Sequence, residues 1–365
     1  VIYRRLILKE DNLKDKIIVV GGYGHVGQIL CIELGELYPG KVYAAGRSYE
    51  KAEEFTGKTN NKVFPMQLDT ESAAGISQIE EAKVIVMCLD QKNTDFVRLC
   101  LNLGIHYVDI TANADFHKKI EELRDMAVVN KATALLSVGL TPGISNLLAA
   151  KACEDMEESD SVDIAVMLGL GDKHGSAAIE WTIDNMYHNF STMENGKRTE
   201  VKSFTEGKAF DFGEGLGRKK AYRFNFSDQH SLLNTLKVPF IKTRLCFDSD
   251  LSTRFFFIMK RTGIFKLLKY KRIYNGMVKL ISGFKMGSDK FALKVEASGR
   301  KAGNNIKTEV FFSGRIEADM TVKAAAAATK ELYTSDYPYG IFHINELFTI
   351  DILPKQVRDK IIFKS

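Results

Sequence analysis

The chain has 365 residues, of which 45% are hydrophobic and 27% charged, a balance that suits folded globular domains and excludes a disordered or fibrous chain. Its net charge of +5 is too small to argue for nucleic acid, and its five cysteines (31, 88, 100, 153 and 246) have no CxxC spacing, against structural zinc or a disulfide framework. At roughly 150 residues per domain, two domains are expected.

Strand-like and helix-like segments alternate from residue 16 onward. Lys16–Val20 is a short apolar strand and His25–Leu37 a helix. Val42–Ala45 and Lys62–Leu68 are the next strands, with a helix at Tyr49–Thr56 between them and another after Asp69. Val84–Cys88, His106–Ile110 and Ala132–Val138 continue the strand series, with helices at Thr94–Leu103 and Asp115–Val129. Continuous apolar strands separated by helices imply a parallel sheet covered on both faces. Residues 132–150 carry no charge, but a strand, a Pro-Gly turn and a helix explain them better than a membrane span.

The texture changes near residue 155. Val162–Leu170, Glu200–Phe204, Ala221–Phe226, Thr243–Phe247, Phe291–Ala297 and Ile306–Ser313 are strand candidates with alternating or aromatic-rich character. They predict an α+β domain built on a largely antiparallel sheet. Ala324–Leu332 is an alanine-rich helix. The expected division is residues 1–155, 156–320 and a C-terminal helix and tail, 321–365, returning to the first domain.

The sharpest motif is Val19-Val20-Gly21-Gly22-Tyr23-Gly24-His25-Val26-Gly27. It contains GxGxxG at Gly22, Gly24 and Gly27, after an apolar strand and at the opening of a helix, the context that gives the pattern its meaning. Gly22 makes the turn, Gly24 admits a pyrophosphate and Gly27 lets helix and strand pack closely. The helix N-terminus then offers free N–H groups to phosphate. The first 155 residues are therefore expected to form a doubly wound Rossmann domain. A Walker A loop is excluded, because Gln28-Ile29 stands where Lys-Ser/Thr is required.

An NAD site places an acid about 20 residues past the glycines. Here the second strand ends Ala45-Gly46-Arg47-Ser48, and no acid lies between Gly40 and Tyr49. The Arg47 guanidinium suits an adenosine 2′-phosphate, and Ser48 adds a hydroxyl, so NADP(H) is the expected cofactor. Tyr23, His25 and Val26 in the turn, with Asp69, Cys88 and Leu89 at later strand ends, complete the expected cofactor site. No metal is expected.

These residues resemble the saccharopine dehydrogenase NADP-binding family. The likeness rests on the turn at 19–27, Ala-Gly-Arg-Ser at 45–48, Gln-Leu-Asp at 67–69, His-Tyr-Val-Asp-Ile-Thr at 106–111 and Gly-Leu-Thr-Pro-Gly-Ile-Ser-Asn at 139–146. It implies the fold and cofactor strongly and the substrate weakly, since members with known roles oxidise or reduce carbon–nitrogen bonds of amino acids while others differ. The family's Tyr-x-Asp motif falls on Tyr107-Val108-Asp109. The chain departs from the amino-acid dehydrogenases in its aromatic-rich second domain and its lack of an arginine pattern for a di- or tricarboxylate.

Ligands of such sheets lie beyond the carboxyl ends of the strands. That places Asp109 and Thr111 among the candidate catalytic residues, with Asp109 orienting a substrate amine or relaying a proton, or else binding loop amides. His174 and His343 are candidate general acids, or structural histidines. The Tyr-x-x-x-Lys of short-chain dehydrogenases is absent.

Residues 254–290 contain ten Lys or Arg against one acid, Asp289, a net +9 that leaves the remainder of the chain net −4. Ile264, Leu267, Leu268, Tyr274, Met277, Val278, Ile281 and Phe284 follow a helical period broken at Lys271. A face packed within the domain or on a second copy is expected, which makes a homodimer the expected assembly, with an anionic membrane surface or an acyl-chain substrate as the alternative. No nucleic-acid partner is expected. The first ten residues have no apolar run long enough for a secretory signal, so a cytoplasmic location is expected. The function expected is an NADP(H)-dependent oxidoreductase passing hydride to or from a small molecule in an interdomain cleft. A non-catalytic NADP-binding sensor and a peripheral enzyme acting on a lipid-like substrate remain open.

Overall fold

The computed structural model describes residues 14–72, 76–172, 176–213, 215–283 and 287–364. In chain order the first elements are β1 (Lys16–Val20), α1 (His25–Leu37), β2 (Val42–Gly46), α2 (Tyr49–Thr56), β3 (Val63–Gln67), β4 (Ala82–Met87), α3 (Asp95–Asn102) and β5 (His106–Asp109). Then come α4 (Ala114–Glu121), α5 (Arg124–Val129), β6 (Thr133–Leu136) and α6 (Ser145–Cys153). Further on lie β7 (Glu158–Leu168), α7 (Ser176–Tyr187), β8 (Phe190–Glu194), β9 (Lys197–Val201), β10 (Lys208–Asp211), β11 (Arg218–Arg223), α8 (Asp228–Thr235), β12 (Phe240–Phe247), α9 (Asp250–Arg261) and α10 (Lys271–Gly283). The chain closes with β13 (Lys290–Lys301), β14 (Asn304–Arg315), α11 (Glu317–Thr334), β15 (Gly340–His343) and β16 (Ile362–Lys364).

The chain divides into two compact units. One comprises Val1–Val108, Glu122–Ala134 and Thr329–Ile341; the other comprises Asp109–Glu121, Leu135–Ala328 and Phe342–Ser365.

The first sheet has the order β15-β6-β5-β4-β1-β2-β3. β1 lies parallel between β2 and β4, with Ile17 beside Val42 on one side and Val84 on the other. Ile17, Ile18 and Val19 are wholly buried, as a strand covered on both faces requires. The order 3-2-1-4-5 reverses direction between β1 and β4, and at such a reversal the strand ends leave a crevice for a ligand. The Rossmann arrangement expected from the sequence is therefore present.

Two expected elements differ. Between β3 and β4 the described residues hold only a 3-10 turn, Ile76–Ile79, where a full helix after Asp69 was expected. The single helix expected over 115–129 is two, α4 and α5. Leu123 leaves helical geometry (φ −91°, ψ 9°) and turns inward, 3% exposed.

The second unit is built on a seven-stranded sheet of order β10-β11-β12-β7-β13-β14-β16. Only β12 and β7 run parallel; the other five pairings are antiparallel. Met167, Phe210, Phe212, Ala221 and Cys246 form part of its core. The strand expected at Glu200–Phe204 lies earlier, as β9, and pairs with β8 in a separate hairpin. Asn195 and Gly196 form its turn with φ of 48° and 70°, the double left-handed conformation that a two-residue Asn-Gly loop adopts most readily.

Candidate functional site

The turn after β1 is set by close approach. Gly21 has a φ of +81°, which side-chain-bearing residues rarely adopt. A β-carbon on Gly22 would lie 2.6 Å from Ala44 Cα, and one on Gly27 would lie 2.1 Å from the Gly21 carbonyl oxygen. At Gly24 the same test meets only the Gly21 oxygen, at 3.1 Å, and Gly24 and His25 are exposed. The open side of the turn is therefore at Gly24, where α1 begins. The first-turn N–H groups of His25, Val26 and Gly27 have no preceding helical carbonyl to bond. This cradle fits a pyrophosphate: small residues where backbone must approach, and unpaired donors with the helix dipole behind them.

Tyr23 spans from this turn to the end of β2. Its hydroxyl accepts the Ser48 N–H at 3.2 Å, and its ring occupies the space a β-carbon on Gly46 would take, 2.4 Å from Tyr23 Cε1. Arg47 is exposed and makes no ion pair among the described residues. Ser48 is more engaged than its sequence context suggests. Its hydroxyl caps α2 by accepting the Lys51 N–H at 3.3 Å, and it donates to Glu50 Oε2 at 2.8 Å. Glu50 lies just past the acid-free stretch. Its carboxyl sits below the usual range, held there by its own backbone N–H and then by Ser48.

Of the other expected cofactor residues, Leu89 is 44% exposed and its side chain lies against Gly21. Cys88 is half-buried, and its N–H bonds the Val20 carbonyl at 3.0 Å. Asp69, after β3, accepts the Glu71 N–H at 3.1 Å. All three follow the carboxyl ends of first-sheet strands, as ligand-facing positions do in this fold.

In the second unit Asp109 and Thr111 form a buried motif. Asp109 is 0% exposed. Its Oδ1 accepts the Thr111 N–H at 2.8 Å and the Thr111 hydroxyl at 2.5 Å. His117 Nε2 stands 3.8 Å from the same oxygen, too long for a hydrogen bond. Burial alone would raise the Asp109 carboxyl, but His117 and then Thr111 outweigh it and hold it low. Neither nitrogen of His117, 2% exposed, has a hydrogen-bond partner. His343 stacks edge-on with His117, ring centres 6.0 Å apart. Its Nδ1 pairs with Ser137 Oγ at 2.8 Å and its Nε2 with Glu121 Oε1 at 3.0 Å. Three expected catalytic residues, Asp109, Thr111 and His343, are thus brought together, and His117 joins them unforeseen. His174 lies outside the described residues.

The second unit also holds a cleft of 1260 Å³. It runs from the loop after β5, at Ala112 and Asn113, to the β8–β9 hairpin and α8. Asp109, Thr111 and His343 are not on its wall; the Asp109 carboxylate serves loop donors instead. Three cations line the cleft: Lys118, Arg198 and Lys237. Lys118 lies 3.9 Å from Asp115, Arg198 Nη2 donates to Ser191 Oγ at 3.3 Å, and Lys237 has no ion pair among the described residues. His230 is on the same wall. Its Nε2 meets Asn225 Oδ1 at 2.8 Å, and burial, followed by the Lys118 charge, brings its pKa down to about 4. A neutral imidazole therefore faces three cations, the carboxylates of Asp115 and Glu200, and several amides, a polar lining in which cations outnumber acids and which suits a hydrogen-bonding small molecule with an anionic group. His230, Arg198 and Lys237 were invisible in the sequence, because no local pattern signals that a hairpin and two helices meet. Among the described residues no cluster of His, Cys, Asp or Glu could hold a metal.

A glycine cradle at the strand reversal of a parallel sheet, followed by a mixed-sheet second unit, defines the class of two-domain dehydrogenase-like folds. Residues 17–135 match the saccharopine dehydrogenase NADP binding domain family. The apo, histidine-tagged saccharopine dehydrogenase (L-Glu forming) from Saccharomyces cerevisiae has a similar structure, with a TM-score of 0.69 at 13% identity. The similarity covers 96% of this chain and 99% of that one, so the shared fold extends through both units. DAP dehydrogenase of C. glutamicum in complex with DAP aligns with a TM-score of 0.46 at 12% identity, covering 95% of this chain and 98% of that one. No curated protein matches the chain by sequence.

Proposed function

We propose that the chain is an NADP(H)-dependent oxidoreductase acting on a small, carboxylate-bearing polar substrate, with the carbon–nitrogen bond of an amino-acid derivative as the reacting bond. The observation that carries this is Arg47: an exposed guanidinium, free of ion pairs among the described residues, at the end of β2 where an NAD site would place a carboxylate. The first-turn donors of α1 and the open space at Gly24 would hold the pyrophosphate, and Arg47 the 2′-phosphate. Ser48 can add its hydroxyl only by giving up Glu50.

When bound, the cofactor supplies or takes up a hydride. The residues of the chain do the rest. Lys118, Arg198 and Lys237 attract and hold the substrate carboxylate. His230, with a pKa of about 4, is neutral near pH 7 and has no extra proton to give. With Nε2–H donated to Asn225, its Nδ1 is an acceptor for a substrate N–H. The buried Asp109–Thr111 pair fixes the loop that leads to the cleft.

The test is a panel of amino-acid derivatives with NADP+ and of 2-oxo acids with amines and NADPH. The expected result is substrate-dependent turnover, with KM raised on the order of tenfold or more in Arg198→Ala or Lys237→Ala, the usual effect of losing one charge-assisted contact. NADPH binding without turnover across the panel would indicate a non-catalytic sensor instead.

A further inference from the structure

The segment from Asp250 to Ile281 carries two features that the oxidoreductase reading does not use. The first is apolar. α9 buries Thr253, Phe256 and Met259 on one face. Its other face presents Leu251, Phe255 and Ile258, which are 75%, 51% and 56% exposed. That spacing of four and three is one stripe of a helix, so α9 is apolar both toward the domain and away from it. The 3-10 turn that follows, Ile264–Lys269, adds Ile264 and Leu267, and α10 adds Ile273 and Leu280, all exposed by more than two fifths. Large apolar side chains left open over three consecutive elements mark a contact surface.

The second feature is charge. Arg254, Arg261, Lys266, Lys269, Lys271, Arg272 and Lys279 are exposed among these apolar residues. None makes an ion pair with a described residue. The chain outside residues 254–290 is net −4. Positive charge is therefore concentrated in this stretch, and this face would be drawn to a negatively charged surface.

We propose that α9, the 3-10 turn and α10 form a docking face for an anionic lipid surface, with Leu251, Phe255 and Ile258 entering the headgroup region and the surrounding cations contacting lipid phosphates. Charge complementarity selects this occupant over a second copy of the chain. A two-fold contact sets a face against itself, which here would oppose unpaired cations with cations. No described helix is long and apolar enough to cross a membrane, so the contact would lie at the surface of the bilayer. An apolar stripe with Lys and Arg beside it is the pattern of helices that lie in the plane of an interface. The proposal goes beyond the oxidoreductase reading and does not depend on it.

The experiment is sedimentation of the full chain with vesicles of phosphatidylcholine alone or with phosphatidylglycerol, at low and high salt. Binding to the anionic vesicles at least tenfold above the neutral ones, released by salt, is the expected result. Each cation near an anionic surface contributes about 1 kcal/mol, roughly fivefold, so Lys266→Glu/Lys269→Glu/Lys271→Glu should weaken partitioning by on the order of a hundredfold or more. Leu251→Ser/Phe255→Ser should also abolish it, and unchanged NADPH affinity and melting temperature in both variants would show that the fold is intact. Equal partitioning onto neutral and anionic vesicles, or none, overturns the proposal. A dimer that Leu251→Ser/Phe255→Ser splits into monomers overturns it too, and assigns the face to a second copy.

Discussion

Tyr23 Oη accepts the Ser48 N–H at 3.2 Å, which ties the glycine-rich turn after β1 to the end of β2. The tie depends on Gly46, whose missing β-carbon leaves room for the tyrosine ring. The two segments proposed to hold a dinucleotide, one for its pyrophosphate and one for its ribose, are thus a single mechanical piece.

Gly46→Ala should break that piece. The new methyl would lie 2.4 Å from Tyr23 Cε1, so the ring must leave. Overpacking of this kind costs about 1–3 kcal/mol, and NADPH affinity should fall on the order of tenfold. Tyr23→Phe keeps the ring and loses one hydrogen bond, about 1 kcal/mol. Thermal melts and NADPH titrations of both variants read the difference. A Gly46→Ala protein as stable and as tight-binding as the parent would mean that the ring position contributes nothing.

Asp109 should prove to be a folding residue. Removing its carboxylate in Asp109→Ala strands the buried Thr111 N–H and hydroxyl, a loss of about 2 kcal/mol or more. Asp109→Asn keeps an acceptor for Thr111 and should lose clearly less. Because the folded carboxyl is held low, its contribution is complete at neutral pH and fades only as pH falls below the ordinary carboxylate range. Denaturant unfolding of the two variants is the measurement. Equal losses would show that the hydrogen bonds to Thr111 are unimportant beside the charge.

His106 sets an acid limit on the first unit. Its Nδ1 accepts the Thr133 N–H at 3.0 Å, and burial, then Lys83 and Lys14, lowers its pKa to about 4. The unfolded histidine titrates near 6.5. The folded state therefore binds fewer protons between these values, and stability is retained above about pH 6.5 and lost as pH falls toward 4. Buried Asp228, with a pKa raised to about 6 chiefly by burial, works in the opposite direction but is common to parent and variant. His106→Gln cannot titrate, so its stability should fall less steeply over pH 6.5 to 4, by up to about 1.4 kcal/mol per pH unit. Parallel pH profiles for parent and variant would contradict the assignment.

Much of the first unit was legible because its rules are local. An apolar strand, a glycine turn and a helix start follow one another in nine residues, and β1, α1 and α2 fall where periodicity and capping place them. The helix expected after Asp69 is, among the described residues, only the 3-10 turn Ile76–Ile79. The site in the second unit was barely legible. His117 is one residue on a helix, and only the fold places it 3.8 Å from Asp109. The cleft wall depends on the β8–β9 hairpin, whose Asn195-Gly196 turn is a local signal in the sequence, while its meeting with α8 is not. The exposed stripe of α9 was hidden for another reason: a helix apolar on both faces reads as a core helix.

Cofactor choice tests the central claim most directly. Isothermal titration of NADPH and NADH into the parent and into Arg47→Ala should show NADPH binding the parent more tightly, with most of the preference gone in the variant. A guanidinium–phosphate contact is worth on the order of 1–3 kcal/mol, roughly fivefold to more than a hundredfold in affinity. NADH affinity should hardly change, since the 2′-phosphate is the group Arg47 is held to recognise. Equal affinity of the parent for the two cofactors, or a preference that survives Arg47→Ala unchanged, would contradict the assignment.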